Sequence, residues 1–473
     1  MPDKSRKLSR VLDFFRTFRL ARPIQCAESL PCWPRCDSRI AADFGPGLVG
    51  APINNSRRVF LFLQGPISPF FQRLAAALLE LGHEVRRVNL CFGDRLLWRK
   101  LPSVNYTGTA ADWPEYIGAY MAREGITDLV LLGDRRPLHI QAADLARASG
   151  IRVFACELGY LRPDWITLER NGMSSYSHFP TDPTTIRKIS ECVPPPDMTA
   201  RYQSNFFKLA AWDVTYNLAN VFLWPCHPHY RWHAIYHPLA EYAGWVWRLL
   251  RRPYLKWDAR TKFDRLLADK GKYYVFPLQL ETDYQIRAHS PYARQKDPIR
   301  TILASFAKFA AADTSLLIKV HPLDNGLFNW RRRIARWARE RDVENRVVVV
   351  DGGDLTEMLA HSTAVVTINS TVGTAALALG KPLLALGSAV YVMDGLTHKG
   401  TLDDFWTGAE PPDRELYGSF VRALAATVQI KGGFYSEPGI AAAVSEAAKR
   451  LDQLTVNEPL AFVDPPPRLA RIA

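Results

Sequence analysis

The 473-residue chain lacks the patterns that identify several common classes of protein. No uninterrupted apolar run reaches about 18 residues, so a membrane-spanning helix is not expected. No helix-turn-helix, RNP or zinc-finger pattern is present, so nucleic acid is the least expected partner. The seven cysteines are odd in number and scattered, which favours reduced thiols and a cytoplasmic location. The basic N-terminus has no apolar core or cleavage site and is not expected to be a secretory signal.

Motifs for common cofactors are also incomplete. The segment 64–69 does not complete the G-x-G-x-x-G pattern of NAD-binding turns, and the helix start at Ser370 has no Walker lysine. Cys32 and Cys36 have the spacing of half a zinc site, but no second Cys or His pair follows nearby, so free thiols are favoured. No Asp-X-Asp motif near a strand end suggests a bound divalent metal. We therefore expect no cofactor and no metal ion.

Basic residues are in excess in this chain. It has 60 Lys and Arg against 47 Asp and Glu, a formal charge of +13, which favours an anionic partner such as a nucleotide or a membrane surface. Hydrophobic residues make up 48% of the chain, as expected of a globular protein. The length predicts two or three domains.

The pattern along the chain predicts an α/β protein with two Rossmann-like domains. Residues 1–55 are basic and proline-containing, and we expect a poorly ordered extension there. The first Rossmann-like domain is predicted at 56–196 and the second at 266–435. A helical, aromatic and basic segment at 197–265 connects them, and a C-terminal helix and tail follow at 436–473.

Alternating apolar runs and helical patterns support both domains. Each apolar run is bounded by turn residues, as is typical of buried strands in a parallel sheet. Strands are predicted at 59–63, 85–90, 127–132 and 151–155, then at 273–278, 315–320, 347–350, 364–368 and 382–386. Helices are predicted at 70–79, 299–311 and 371–379.

The connecting segment allows two interpretations. It is rich in Trp, Tyr, His and Arg, for example at 230–237 and 245–252. Aromatic side chains beside cations are typical of a membrane interface. An aromatic core between two domains, with arginines at its rim, would have the same composition.

Three strand ends in the second predicted domain carry polar side chains. Gln279, Glu281 and Asp283 follow the strand at 273–278, and on an extended chain the two carboxylates would share a face. Because ligands bind at the carboxyl ends of parallel strands, these side chains are candidates for a group-transfer site.

The other two strand ends could bind an anion. Lys319 and His321 end one strand, and His321 could hydrogen bond to a phosphate or relay a proton. A lone histidine is, however, more often structural. The turn of Asn369, Ser370, Thr371 and Gly373 opens a helix whose free N–H groups could hold a phosphate, and Gly373 would permit close backbone approach. An ordinary helix cap is the alternative.

The first predicted domain contributes a further carboxylate and a turn. Glu157 ends a strand, and if the domains face each other, Glu157 and Asp283 could lie on either side of one ligand. Paired carboxylates are the usual equipment for chemistry at an anomeric carbon. The turn at Gln64, Gly65 and Ser68 could contact an acceptor.

These motifs, in this order, resemble a known family. The chain is similar to the bacterial capsule polysaccharide biosynthesis and export proteins of the KpsS (LipB) type over residues 57–430. The segments that carry the resemblance are 64–66, 69–71, 157–163, 278–283, 319–322, 369–373 and 387–406.

The resemblance implies a GT-B-like fold and β-Kdo glycosyltransferase activity. Such enzymes take Kdo from CMP-Kdo and build a short linker on a phosphatidylglycerol-type lipid at the inner membrane surface. A KpsC-type transferase extends that linker and a capsule ABC exporter acts later. A cytoplasmic protein, peripheral on the inner membrane, is therefore expected.

The resemblance also suggests roles for the candidate residues. It implies that Asp283 is the nucleophile, that Glu157 is an acid/base or positioning group, and that His321, Ser370 and Thr371 hold the CMP phosphate and sugar carboxylate. Two alternatives remain open. The chain could be a non-catalytic export adaptor, or a GT-B enzyme that uses another sugar nucleotide.

Overall fold

The computed structural model describes residues 57–202, 206–231, 236–269 and 271–469. The predicted extension at 1–55 lies outside these residues. The described residues form a seven-stranded and a five-stranded sheet, each flanked by helices.

The seven-stranded sheet belongs mainly to the first half of the chain. Its first six strands are β1 (Val59–Phe62), β2 (Glu84–Asn89), β3 (Val104–Asn105), β4 (Asp128–Leu132), β5 (Arg152–Leu158) and β6 (Trp165–Arg170). Strands β1, β2, β4 and β5 pair in parallel, and β1 and β4 are almost wholly buried because helices cover both faces. β6 pairs antiparallel with β5, so this sheet is mixed rather than parallel throughout as predicted.

The five-stranded sheet is parallel throughout. Its strands are β7 (Lys272–Pro277), β8 (Thr314–Lys319), β9 (Val347–Val350), β10 (Ala364–Thr367) and β11 (Leu383–Ala385). Their spatial order is β11-β10-β7-β8-β9, so β7 lies between β10 and β8. The carboxyl ends of these three strands therefore meet at one edge of the sheet.

Helices connect most of the strands. In chain order the first seven are α1 (Phe70–Glu80), α2 (Phe92–Leu96), α3 (Trp113–Arg123), α4 (Pro137–Ala148), α5 (Pro183–Glu191), α6 (Phe206–Phe222) and α7 (Pro238–Ala268). The remaining eight are α8 (Tyr284–His289), α9 (Lys296–Phe309), α10 (Trp330–Arg339), α11 (Leu355–His361), α12 (Val372–Ala378), α13 (Leu402–Gly408), α14 (Arg414–Thr427) and α15 (Glu437–Asp452). No described helix is both long enough and apolar enough to cross a membrane.

The chain returns to its first sheet near the C-terminus. Strand β12 (Gln429–Lys431) pairs antiparallel with β6, and α15 packs on α1. The predicted range of 266–435 for the second domain therefore includes a strand of the other sheet. The two halves also share one hydrophobic core, in which Phe179 and Ile186 pack with Tyr391 and Phe420. The predicted α/β, GT-B-like architecture is confirmed, with this C-terminal return added.

The connecting segment is helical over α6 and α7, as predicted, and α7 divides into two parts. Within the predicted stretch 230–237, residues 232–235 lie outside the described part of the chain, and its other residues are not helical. The C-terminal part of α7 buries Leu255, Ala259 and Phe263, and the helix packs on β9. Earlier in α7, Trp247 and Leu250 are exposed to solvent. Only part of the segment therefore corresponds to the aromatic core that composition suggested.

Candidate active site

The predicted strand-end motifs of the second half lie together. Gln279 follows β7, and its amide nitrogen donates to Asp283 Oδ2 at 3.1 Å and to Asn369 Oδ1 at 3.0 Å. Gln295 fixes the backbone here, since its side chain accepts from the Gln279 N–H at 2.9 Å and donates to the Gln279 carbonyl at 2.7 Å. The pairing of β7 with β10 thus places two amides and a carboxylate together.

Asp283 is the N-cap of the short helix α8. Its Oδ1 accepts the backbone N–H of Gln285 at 2.9 Å, and its side chain is half-buried. Burial raises the pKa of Asp283, while the hydrogen bonds from Gln285 and Gln279 and the nearby Arg287 lower it. The carboxylate is held in one orientation by two donors, as a nucleophile or an ordinary helix cap would be.

Glu157 lies near the end of β5, in the other half of the molecule. Burial raises its pKa, and the negative charge of Asp283 also raises it, whereas Arg136 and Arg162 lower it. The two carboxylates are therefore close enough to interact electrostatically across the boundary between the halves. Glu157 Oε1 accepts the backbone N–H of Leu158 at 3.0 Å.

Hydrogen bonds close the boundary beside Asp283. Ser174 donates from Oγ to Gln285 Oε1 at 2.8 Å, and Ser175 Oγ lies 2.6 Å from His289 Nδ1. Burial lowers the pKa of His289 to about 3, so its ring is neutral at pH 7. Both ends of α8 are thus joined to the N-terminal half.

Lys319 and His321 form a cationic and polar corner at the end of β8. Lys319 is 4% exposed, and in the described part of the chain no acceptor hydrogen bonds to its ammonium group. Burial lowers the pKa of Lys319 to about 8, and the Asp351 carboxylate opposes that shift. A buried ammonium group that lacks a hydrogen-bond partner is suited to an anionic ligand.

His321 can donate a hydrogen bond while neutral. Burial lowers its pKa to about 4, with contributions from Lys319 and Arg248. Its Nδ1 accepts the backbone N–H of Leu323 at 3.0 Å, which places the proton of the neutral ring on Nε2. His321 therefore presents an N–H donor rather than a second full charge.

Two further residues of this corner were not assigned from the sequence. Arg248 of α7 donates to Asp351 Oδ2 at 3.0 Å and reaches the carbonyl oxygen of His321 at 3.5 Å. Asp351 directly follows β9, so the strand-end rule could have identified it. Arg248 belongs to a distant helix, and no local pattern links it to the sheet.

Glu281 differs from its prediction. Residues 280–283 form a turn, in which the Asp283 N–H donates to the Leu280 carbonyl at 2.9 Å, so the chain is not extended and the two carboxylates do not share a face. Glu281 instead lines a cavity of about 200 Å³ together with Tyr236 and Trp245. Burial raises the pKa of Glu281.

The turn at 369–374 has a different internal packing from the one expected. Ser370 Oγ accepts the Val372 N–H at 3.2 Å, and Thr371 is the N-cap of α12 without a side-chain hydrogen bond to the helix. A Cβ on Gly373 would lie 2.3 Å from the ring of Tyr391. The missing side chain of Gly373 thus makes room for an aromatic ring, not for the approach of a ligand.

On the acceptor side, Gln64 is joined to the surroundings of Glu157. Arg136 donates to Gln64 Oε1 at 2.7 Å, and the same arginine lowers the pKa of Glu157. Gly65 and Ser68 have local roles, since a Cβ on Gly65 would lie 2.4 Å from the ring of Phe71 and the Ser68 hydroxyl accepts the Phe70 N–H at 3.4 Å.

A larger cavity lies beside the Lys319 corner. It measures about 450 Å³ and is lined by α7 residues, among them Trp247 and Arg251, and by Val320 and Asp351 from the ends of β8 and β9. Neither Glu157 nor Asp283 lines it. Within the described ranges, no group of three or more His, Cys, Asp or Glu side chains is placed to hold a metal ion.

Comparisons with known proteins show which family this chain belongs to. The family model described as capsule polysaccharide biosynthesis protein matches residues 127–435. The capsule polysaccharide export protein KpsS of Escherichia coli is 35% identical over 388 residues, which cover 80% of this chain and 97% of that protein. The capsule polysaccharide modification protein LipB of Neisseria meningitidis serogroup A is 31% identical over 386 residues, 80% of this chain and 91% of that protein.

A solved structure also resembles this chain. It is KpsC of Thermosulfurimonas dismutans, a β-Kdo 2,7 transferase, with 13% identity, a TM-score of 0.40, and coverage of 84% of this chain and 99% of that chain. The sequence matches confirm the resemblance drawn from the motifs. The chain belongs to the capsule polysaccharide biosynthesis proteins, with relatives of the KpsS and LipB type.

Proposed function

We propose that the chain is a retaining glycosyltransferase that moves Kdo from CMP-Kdo to a phosphatidylglycerol-type lipid, and so begins the Kdo linker of a capsular polysaccharide. The observation that carries the proposal is the position of Glu157 and Asp283. They come from opposite halves of the molecule, and the charge of Asp283 raises the pKa of Glu157. A double displacement needs two such groups, a nucleophile and an acid/base.

The first displacement would take place at Asp283. A carboxylate oxygen of Asp283 forms a bond to the anomeric carbon, the bond from that carbon to the CMP phosphate breaks, and the electron pair leaves with CMP. CMP leaves as an anion, so its phosphate needs positive charge and donors more than a proton. Lys319 and the Nε2–H of His321 are suited to that task.

The second displacement would release the sugar to the lipid. The acceptor hydroxyl attacks the anomeric carbon, its proton passes to Glu157, and the bond to Asp283 breaks with its electron pair returning to the carboxylate. A raised pKa suits Glu157 for holding that proton. Because two inversions occur, the configuration of the sugar is retained.

The family membership supports the setting of this reaction. The donor carries a phosphate and a carboxylate, and the lipid lies in an acidic bilayer, which agrees with the net charge of +13. We propose that the protein acts at the inner membrane surface. A KpsC-type transferase and a capsule exporter would follow it in sequence.

A non-catalytic export adaptor is the second candidate. The Escherichia coli relative is described as an export protein, and the N-cap role of Asp283 explains that carboxylate without chemistry. An adaptor would bind the lipid-linked glycan but would not consume CMP-Kdo.

The deciding experiment measures whether the purified full chain transfers Kdo to a lipid acceptor. CMP-Kdo generated in situ and a phosphatidylglycerol acceptor are incubated with the protein, and the lipid product is measured by mass spectrometry. Asp283→Asn should lower transfer by about 1000-fold or more while the helix cap is kept, since Asn caps as well as Asp. Asp182→Asn is the matched control, because Asp182 also caps a helix, α5, by accepting the Thr185 N–H at 2.8 Å.

The outcomes separate the candidates. No Kdo-lipid from the wild-type chain, with binding of a lipid-linked glycan retained, supports the adaptor. Product formation from another sugar nucleotide but not from CMP-Kdo removes the donor assignment. Equal turnover by Asp283→Asn and Asp182→Asn excludes Asp283 as the nucleophile.

A further inference from the structure

Helix α7 presents a row of large apolar side chains to solvent. Val246, Leu250, Tyr254 and Trp257 are spaced by four, four and three residues, so they lie on one helical face, here named the α7 stripe. Leu250 is 71% exposed and Trp257 is 63% exposed. Leaving such side chains in water forgoes the free energy of burial, so a face of this kind is expected to meet another surface.

Basic residues predominate among the exposed charges around the α7 stripe. Between Tyr242 and Trp257 the sequence contains four Arg and Lys residues and no Asp or Glu. Among them, Arg251 and Lys256 are exposed. Asp258, which directly follows Trp257, is buried and paired with Lys262 and Arg331. Apolar and aromatic side chains beside exposed cations on one helix are suited to a surface that is apolar inside and anionic at its edge.

The charge also argues against a second copy of this chain as the occupant. In a symmetric dimer formed through the α7 stripe, the same patch of both copies would meet. Arg251 and Lys256 would then face cations of the partner copy, which is unfavourable. The headgroup phosphates of a bilayer provide the opposite charge.

The α7 stripe is connected to the candidate active site. Arg248, on the same helix, bonds to Asp351 and to the His321 carbonyl. The cavity of about 450 Å³ is lined by Trp247 and Tyr254 of α7 and reaches the end of β8. A surface bound at the α7 stripe would therefore lie next to the corner proposed to hold the donor phosphate.

We propose that the α7 stripe binds an anionic lipid bilayer, with Leu250 and Trp257 inserted at the interface and Arg251 and Lys256 at the headgroup phosphates. The inference deepens the proposed function and rests on it only for the lipid nature of the acceptor. It names the surface on which the enzyme approaches that lipid, and it predicts binding that needs no turnover.

The test is flotation of the full chain with vesicles of phosphatidylcholine alone or mixed with phosphatidylglycerol. We expect binding to the mixed vesicles that weakens as salt rises. Leu250→Glu should weaken it by about tenfold, because an apolar contact is lost and a charge is repelled. Leu79→Glu, at an exposed position of α1 in the other half, is the matched control and should bind as the wild type does.

A second variant and a second readout keep the result interpretable. The double variant Arg251→Glu/Lys256→Glu reverses the charge beside the α7 stripe without removing an apolar group. This variant should lose the preference for vesicles that contain phosphatidylglycerol. Leu250→Glu should keep its melting temperature and its transfer to a detergent-dispersed acceptor. If the wild-type chain binds the vesicles but transfers no Kdo, that result contradicts the proposed function and leaves the membrane-binding inference standing.

Three results would overturn the inference. One is unchanged binding by Leu250→Glu, which would place the contact elsewhere in the chain. Another is equal binding to neutral and anionic vesicles. The third is a dimer that Leu250→Glu dissociates, with no vesicle binding by the wild type, which would assign the α7 stripe to a protein contact.

Discussion

The amide nitrogen of Gln279 lies 3.1 Å from Asp283 Oδ2 and 3.0 Å from Asn369 Oδ1, so both of its N–H groups are used. One side chain thus orients the proposed nucleophile and joins it to the turn after β10. A hydrogen bond to a carboxylate stabilises its charged form. Gln279 is therefore a positioning residue whose effect should appear in the pH profile.

The first prediction concerns Gln279→Ala. Without the amide, the pKa of Asp283 should rise further above its ordinary value, because burial is then opposed by fewer donors. The acid limb of the rate profile should move to higher pH, and transfer at pH 7 should fall by about tenfold. A lower rate with an unshifted acid limb would show that Gln279 acts only on the fold.

The second prediction separates the two carboxylates. Glu157→Gln should still release one equivalent of CMP in the first turnover, because departure of CMP needs no base, but later turnovers should be slowed by about 100-fold. In the wild type, activity should decline as pH falls through the raised pKa of Glu157, since the base must be ionised. Rapid-quench measurement of the CMP released in the first turnover tests the prediction for Glu157→Gln. A missing CMP burst would place Glu157 in the first step.

The third prediction concerns the buried ammonium of Lys319. Its pKa of about 8 lies below the unfolded value, so between those two values the unfolded chain binds more protons and stability rises with pH. Below pH 8 the buried charge makes the fold less stable, by about 3 kcal/mol, than it would be with a neutral amine. Lys319→Met should therefore raise the free energy of unfolding at pH 7 while it lowers transfer.

Denaturant melts at pH 7 and pH 10, with parallel assays, check this trade-off. The gain in stability of Lys319→Met should shrink at the higher pH, where the wild-type amine is neutral. Lys272→Met, at an exposed position on β7, is a suitable control and should change neither quantity. A less stable Lys319→Met variant would contradict the prediction.

The fourth prediction concerns Gly373. Its added Cβ would lie 2.3 Å from the Tyr391 ring, so Gly373→Ala should lower the free energy of unfolding by about 1–3 kcal/mol. In a Tyr391→Leu background the cost should shrink, because the ring that it meets is gone. A double-mutant cycle measures the difference. Additive effects would mean that the glycine serves another purpose.

The sequence predicts this active-site region well where strands are apolar and parallel. Such strands form uninterrupted apolar runs in the sequence, so the pattern alone predicts that Gln279, Lys319 and Asn369 lie at strand ends. Asp351 follows β9 in the same way, so the same rule applies to it. Glu281 was misplaced because the chain turns at 280–283, which a pattern of alternating residues cannot show.

Other features depend on distant parts of the chain. Arg248 reaches Asp351 across 103 positions, and nothing in the sequence around either residue indicates the pairing. Strands β6 and β12 are short and partly polar, and they pair with each other across more than half of the chain. Whether α7 faces solvent or a core could not be decided from composition, because the same aromatic residues suit both.

The late return of β12 has a consequence for synthesis. Until residues 429–431 have left the ribosome, β6 remains an open edge with unpaired backbone groups, and α1 lacks the cover that α15 provides. An open edge invites association with other chains. The nascent first half must therefore stay protected while nearly all of the second half is translated, and a product that stops before Gln429 is expected to aggregate rather than to accumulate as a folded fragment.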